Sequence, residues 1–156
     1  MAGATGRSGR RAKPTARKLL AGNPGKRALN KEEPSFTPIT GAEPPEWLSE
    51  HAATMWKMVS KELCAQQVLC ATDLHNLEMF CVAYANARDA QLDVAKNGIT
   101  VTGAMGGVIK NPALTVLNEA MRQMASFGGM LGLDPSSRQR LMGANKKQSD
   151  NPFKNL

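Results

Sequence analysis

Every charged residue among the first 31 is basic: Arg7, Arg10, Arg11, Lys13, Arg17, Lys18, Lys26, Arg27 and Lys31 stand there without an Asp or Glu. Such a stretch cannot neutralise itself, and it holds no helical apolar stripe longer than Leu19-Leu20. With nothing to bury and like charges along its length, it is expected to stay open and to leave core-building to the rest of the chain. The balance there is different. Residues 32–133 hold eleven acids against six bases, a net of −5, and residues 134–156 hold five bases against two acids, a net of +3. The overall charge of +7 is therefore a basic arm, an acidic body and a basic tail. A clustered polycation suits a polyanion, because each phosphate it neutralises releases condensed counterions and adds affinity without reading sequence.

The 156 residues have room for one domain plus tails. Aromatic residues make up only 4% and there are nine methionines, so the core is expected to be built from Leu, Met and Ala. The longest apolar run, Met79–Ala85, is far too short to cross a bilayer, and no apolar h-region follows the arm, so neither a membrane partner nor a signal peptide is expected. Cys64, Cys70 and Cys81 cannot all pair and form no Cys-x-x-Cys, which fits reduced thiols serving as small core residues in a cytosol.

Proline and glycine divide the chain. Residues 1–44 read as a largely extended, disordered arm, with one nascent turn around Thr15–Ala21. The body, 45–142, opens at Pro44-Pro45, with a proline suited to the first helical turn. Leu48, Ala52, Met55, Trp56, Val59 and Leu63 then recur at helical spacing, predicting a helix over about 45–66. A second helix is expected from Thr72 or Asp73 to Asn97-Gly98, with Leu74, Leu77, Cys81 and Tyr84 on one face and Phe80, Ala87 and Leu92 widening it. The short link predicts an antiparallel helical hairpin. Ile99–Thr102 and Val108–Lys110 flank a glycine-rich centre, to be read as a small β-hairpin or a flexible loop, the hairpin slightly favoured.

Asn111-Pro112 opens a third helix, to about residue 132. It carries two apolar stripes: Leu114, Leu117, Met121 and Met124 on one, Val116, Ala120, Phe127 and Leu131 on the next. Two stripes imply more than one partner helix, within a tight three-helix core or across an oligomer, so Leu114, Leu117, Met121, Met124 and Phe127 are core or oligomer residues. Gly128-Gly129 is expected to kink or end the helix. Asp134-Pro135-Ser136-Ser137 restarts a short helix carrying Arg138, Arg140 and Leu141, and residues 143–156 read as a flexible tail. The fold class is thus mainly α, a helical hairpin plus a third helix, with flexible ends.

Several chemistries fail on spacing. Gly22-Asn23-Pro24-Gly25-Lys26-Arg27 is Gly-x-x-Gly-Lys, with no preceding strand and Arg27 where a magnesium-binding hydroxyl belongs, so an ATPase is not expected. A turn presenting Lys26 and Arg27 to phosphate remains. Cys64, Cys70, His75 and Cys81 have irregular spacings for zinc, and the last two would leave different sides of one helix, so no metal or cofactor is expected. His51 stands without a nucleophile or carboxylate signature. The 45–97 hairpin makes a poor helix-turn-helix reader: Asp73, Glu78, Asp89 and Asp93 against Arg88 and Lys96 give its second helix a net −2. No enzyme is expected.

The residues do resemble a family. Lys13-Pro14-Thr15 with Leu19-Leu20, then Gly22-Asn23-Pro24-Gly25-Lys26-Arg27, Leu29-Asn30 and Glu33-Pro34, look like the N-terminal signature of P27-type phage terminase small subunits. Pro45-Glu46-Trp47-Leu48, Thr72-Asp73-Leu74, Gly98–Val101 with Asn111-Pro112-Ala113, and Leu133-Asp134-Pro135-Ser136-Ser137-Arg138 are similar to that family and follow in order. Gly128-Gly129 departs from it, since the family usually has ordinary helix formers there.

That resemblance implies a non-catalytic subunit in the host cytoplasm, outside the mature virion. It would bind double-stranded viral DNA, assemble with itself as a ring, and hand the DNA to a terminase large subunit holding the ATPase and nuclease. Arg7, Arg10, Arg11, Lys13, Arg17, Lys18, Lys26 and Arg27 are then the DNA-binding candidates, with Arg138 and Arg140 second. Phe153 and Leu156, apolar residues at the end of a polar tail, are candidates for docking the large subunit. A free-standing DNA-binding regulator or nucleoid-type protein would share the arm without that partner, and a head-completion protein would lack DNA binding.

Overall fold

The computed structural model describes residues 15–26, 28–31 and 36–138, with only the backbone of Ala16, Arg17 and Leu20. The chain forms two compact units, Met1–Phe36 and Thr37–Leu156. The first holds the short helix α1 (Thr15–Leu20). The second holds α2 (Glu50–Ala65), a 3₁₀ turn (Ala71–Asp73), α3 (Leu74–Asn97), strands β1 (Thr100–Thr102) and β2 (Val108–Lys110), α4 (Ala113–Met130) and α5 (Pro135–Arg138). The fold is mainly helical with one small antiparallel sheet, as the periodicity predicts.

The first body helix starts later than the prolines imply. Pro45 lies in a turn, its carbonyl accepting from the Leu48 N–H at 3.2 Å. The cap is Ser49, whose hydroxyl accepts from the Ala52 N–H at 3.4 Å, with Glu50 in the positive first turn. The expected stripe is then realised: Ala52, Trp56, Val59 and Leu63 are buried, with Leu48 and Met55 packed against them.

Residues 37–44, counted with the arm on composition, bond to the helical body. The Ile39 N–H donates to the Leu69 carbonyl at 2.9 Å beside a Pro38–Cys70 bridge. The Trp56 indole N–H, from a ring only 2% exposed, donates to the Ala42 carbonyl at 2.8 Å. Burying an indole leaves its donor in need of a partner; here the partner is the strap that covers the core.

α3 packs against both α2 and α4. Leu77, Phe80, Cys81 and Ala85 share one cluster with the buried side chains of α2. Ala83, Ala87 and Ala90 form a second buried row outside that cluster, at helical spacing, and Ala120 is the buried alanine of α4. Residues this small let two helix axes approach closely. Leu92, expected to widen the apolar face, lies beyond the covered part and is exposed.

The stretch after α3 is a hairpin. Gly98, with φ of 86° at a left-handed position, ends α3 by donating to the Val94 carbonyl. Thr100, Val101 and Thr102 then pair with Lys110, Ile109 and Val108. Asn111, 3% exposed, ties the base of this hairpin together: its amide donates to Asp93 Oδ1 at 2.9 Å and the Gly98 carbonyl at 3.0 Å, while its Oδ1 accepts from the Ala113 N–H at 2.9 Å. One side chain thus joins the end of α3 to the start of α4.

The glycine pair does not break α4. Helix continues to Met130 and stops at Gly132, φ 70°, where Leu133 N–H bonds the Gly128 carbonyl and Gly132 N–H the Gly129 carbonyl. Gly128 is there for space: a Cβ on it would lie 3.3 Å from Phe80 Cε2. The helix-propensity cost, about 1 kcal/mol for each glycine, is set against close packing on α3.

Three outcomes are expected. Gly128→Val drives a branched side chain into Phe80 and should lower the urea midpoint, whereas Gly129→Ala, whose Cβ meets neighbours at an ordinary 3.7 Å, should raise stability by up to about 1 kcal/mol. Asn111→Ala removes three hydrogen bonds around a buried position and should cost roughly 2–3 kcal/mol by the same measurement.

Candidate nucleic-acid interface

The described part of the arm is a one-and-a-half-turn helix and the turn that stops it. α1 ends as α4 does: Gly22 takes φ of 72°, its N–H bonds the Leu19 carbonyl at 2.9 Å, and the Asn23 N–H bonds the Lys18 carbonyl at 2.8 Å. Lys26 N–H then closes onto the Asn23 carbonyl, and the Thr15 hydroxyl onto the Asn30 carbonyl at 3.3 Å. These bonds decide what Gly22–Arg27 offers an anion. A phosphate loop works through free backbone N–H groups at a helix N-terminus. Here the sequence follows a helix C-terminus, and the N–H groups of Gly22, Asn23 and Lys26 are already used. The side-chain charge of the lysines is then the main thing this turn offers phosphate.

Lys18, Lys26 and Lys31 form no ion pair among the described residues, where the ion pairs are His51–Asp89 and Arg122–Glu119. Arg17 lies on α1 with only its backbone described. Arg7, Arg10, Arg11, Lys13 and Arg27 lie outside the described residues, as do Arg140, Leu141, Phe153 and Leu156.

At the other end, Asp134 organises α5. Its Oδ1 accepts from the Ser136 hydroxyl at 2.6 Å, the Ser136 N–H at 3.0 Å and the Ser137 N–H at 2.8 Å. Side-chain bonds from Ser136 and Ser137, then the backbone donors, hold its carboxyl well below the usual aspartate range. Arg138 turns back to donate from Nη2 to the Leu133 carbonyl at 3.0 Å, but it is exposed and its remaining donors face solvent. The Asp-Pro-Ser-Ser-Arg run is therefore a capped turn that displays one guanidinium.

The body between these ends presents carboxylates. Trp47, 74% exposed, donates its indole N–H to Glu78 Oε1 at 3.1 Å. His51 Nδ1 lies 3.0 Å from Asp89 Oδ1. Both contacts join residues more than thirty positions apart, and nothing in the local pattern announces them; the sequence shows His51 standing alone. Arg88 lies 5.9 Å from the Tyr84 ring centroid, on the same helix.

The proposed core or oligomer residues divide. Met124 and Phe127 pack against the buried cluster, Leu114 and Leu117 are half-buried, and Met121 is 58% exposed along with Val116 and Met130. The hairpin adds exposed Met105, Val108 and Ile109. Cys81 is in the core, where burial pushes its thiol up to about 12, while Cys64 and Cys70 are half-buried. Among the described residues no group of His, Cys, Asp and Glu is arranged to hold a metal ion, and no helix is long and apolar enough to cross a membrane.

The lowered Asp134 pKa sets a pH test. A carboxyl depressed by folding contributes stability that is present above its unfolded value of about 3.9 and is lost as pH falls through the folded one. The Asp134 side-chain carbon signal should titrate well below pH 3.9, and replacing Ser136 and Ser137 by alanine should move the midpoint back toward that value.

The family model described as "Phage terminase, small subunit" matches residues 52–148, from α2 to beyond α5. No curated protein matches the chain, and no solved structure does.

Proposed function

This chain belongs to the phage terminase small-subunit family, and we propose that it is the non-catalytic subunit that binds double-stranded viral DNA and delivers it to the large ATPase and nuclease subunit. Membership gives the role in phage DNA packaging; the partition of charge carries the reading of how this chain performs it. Nine bases without an acid stand in residues 1–31, whereas the matched body is acidic up to residue 133. DNA contact then falls to Arg7, Arg10, Arg11, Lys13, Arg17, Lys18, Lys26 and Arg27, with Arg138 and Arg140 as a second set. The ordered combination of Gly22–Arg27 and Leu133–Arg138 motifs supports placing the chain with the P27-type members.

Electrostatic arms of this kind are weak singly. A ring of copies raises their effective concentration, so many modest phosphate contacts become firm attachment without base reading. The exposed apolar side chains of α4 support self-association, with Met121 and Val116 as the surface a neighbour would cover. Phe153 and Leu156 remain the proposed anchors for the large subunit, and the host cytoplasm the proposed location.

If about six arm bases meet phosphate, log affinity should fall against log salt with a slope near −5. Deleting residues 1–31 should abolish most of that slope while circular dichroism stays helical; full affinity in the truncated chain would remove the arm from the reading. Met121→Glu should lower the mass seen by light scattering while keeping helicity, whereas Met124→Glu places a charge against the core and should unfold the body. An unchanged mass for Met121→Glu would take that face out of the interface.

A further inference from the structure

Trp47 is the odd residue on the surface of the body. The chain has two tryptophans, and the other, Trp56, is 2% exposed with its indole bonded to the strap. Trp47 is 74% exposed, yet its ring is held: the indole N–H is fixed on Glu78 Oε1 at 3.1 Å. A large aromatic face left in water and anchored by one edge is well suited to receive a partner, because little rotamer freedom is lost on binding.

Its surroundings say which partner. Glu46 precedes it in the sequence, Glu50 opens α2 three residues on, and Glu78 accepts from its indole N–H. None of these carboxylates forms an ion pair with a described residue. Glu78 keeps its second oxygen as an acceptor. A carboxylate held at the indole edge, with two more within three residues of Trp47 along the chain, repels phosphate and argues against nucleic acid as the occupant. The same set attracts a guanidinium, which can lie flat on the indole face while its N–H groups reach Glu78.

We infer that Trp47 and Glu78 form the docking point for an arginine-bearing basic segment, and that the occupant is the N-terminal arm of a second copy of this chain. Charge complementarity selects it: the first 31 residues of the arm carry nine bases and no acid, and residues 32–133 are their electrostatic opposite. Self-association brings arms and acidic faces together at high effective concentration. In the DNA-free assembly each arm then rests on a neighbour's Trp47. Duplex DNA, the stronger polyanion, draws the arms off, so binding is a competition that weak, transient contacts with DNA lose. This inference rests on the proposed reading of the arm and of self-association.

Because Trp56 is buried, quenching of the full-length chain's fluorescence by acrylamide reports mainly on Trp47, and acrylamide is neutral, so it ignores the surrounding charge. In low salt, above the concentration of assembly, quenching should be low. It should rise about twofold or more when a short duplex saturates the chain, and likewise on dilution to monomer. Glu78→Gln, which can still accept from the indole, should show the raised quenching without DNA and bind the duplex about threefold or more tightly by fluorescence anisotropy. Shielding that persists on dilution would assign the arm to its own chain and overturn the second-copy occupant. Quenching that is high at every concentration and indifferent to Glu78→Gln would overturn the docking point, even if DNA binds. Shielding that appears on assembly and is lost in Glu78→Gln, in a chain that binds no DNA, would instead support the docking point and remove the DNA-binding reading.

Discussion

The body depends on α3 being buried along two faces at once. One face, with Leu77, Phe80, Cys81 and Ala85, shares a cluster with the buried side chains of α2; the other is a row of buried alanines, Ala83, Ala87 and Ala90. Everything else is arranged around this sharing. The strap of residues 37–44 covers the first face by giving the Trp56 indole its acceptor. Gly128 lets α4 approach α3 closely by leaving space at Phe80, and Asn111 ties the end of α3 to the start of α4. With aromatics at 4% of the chain, the core gains stability from close approach more than from large side chains.

A core so economical leaves the charge free to be placed elsewhere. Acids outnumber bases in residues 32–133 and bases outnumber acids at both ends, so the part that packs and the part proposed to meet a polyanion need not compromise with each other. The exposed apolar residues of α4 and the β-hairpin belong to the body as well. For a packaging subunit that separation has a use under the proposed reading: copies would associate through their bodies, and arms released from a neighbour's acidic face would meet DNA of any sequence.

Periodicity made the helices legible. The spacing of Leu48 to Leu63 and of Leu74 to Cys81 needs no tertiary information, and Gly98 marks a helix end by its own backbone freedom. The errors came where a residue answers to something distant. Pro45 looked like a helix start because nothing local shows that Ser49 caps instead. Gly128 looked like a break because its partner, Phe80, is 48 positions away. Gly22–Arg27 failed as a phosphate loop on spacing alone, but that its Gly22 and Asn23 N–H groups close α1 on the Leu19 and Lys18 carbonyls could not be read locally. The Trp47–Glu78 and His51–Asp89 contacts were invisible for the same reason. The charge partition, by contrast, was fully present in the sequence, because counting requires no fold.

The central claim is that the arm, and not the folded body, meets DNA. Acetylation of lysines in the full-length chain, read by mass spectrometry with and without a saturating duplex, tests it residue by residue. Lys13, Lys18, Lys26 and Lys31 should become several-fold less reactive when DNA is bound, while Lys57, Lys61 and Lys96 on the helices should not change. Protection of the helix lysines with the arm lysines unchanged would contradict it.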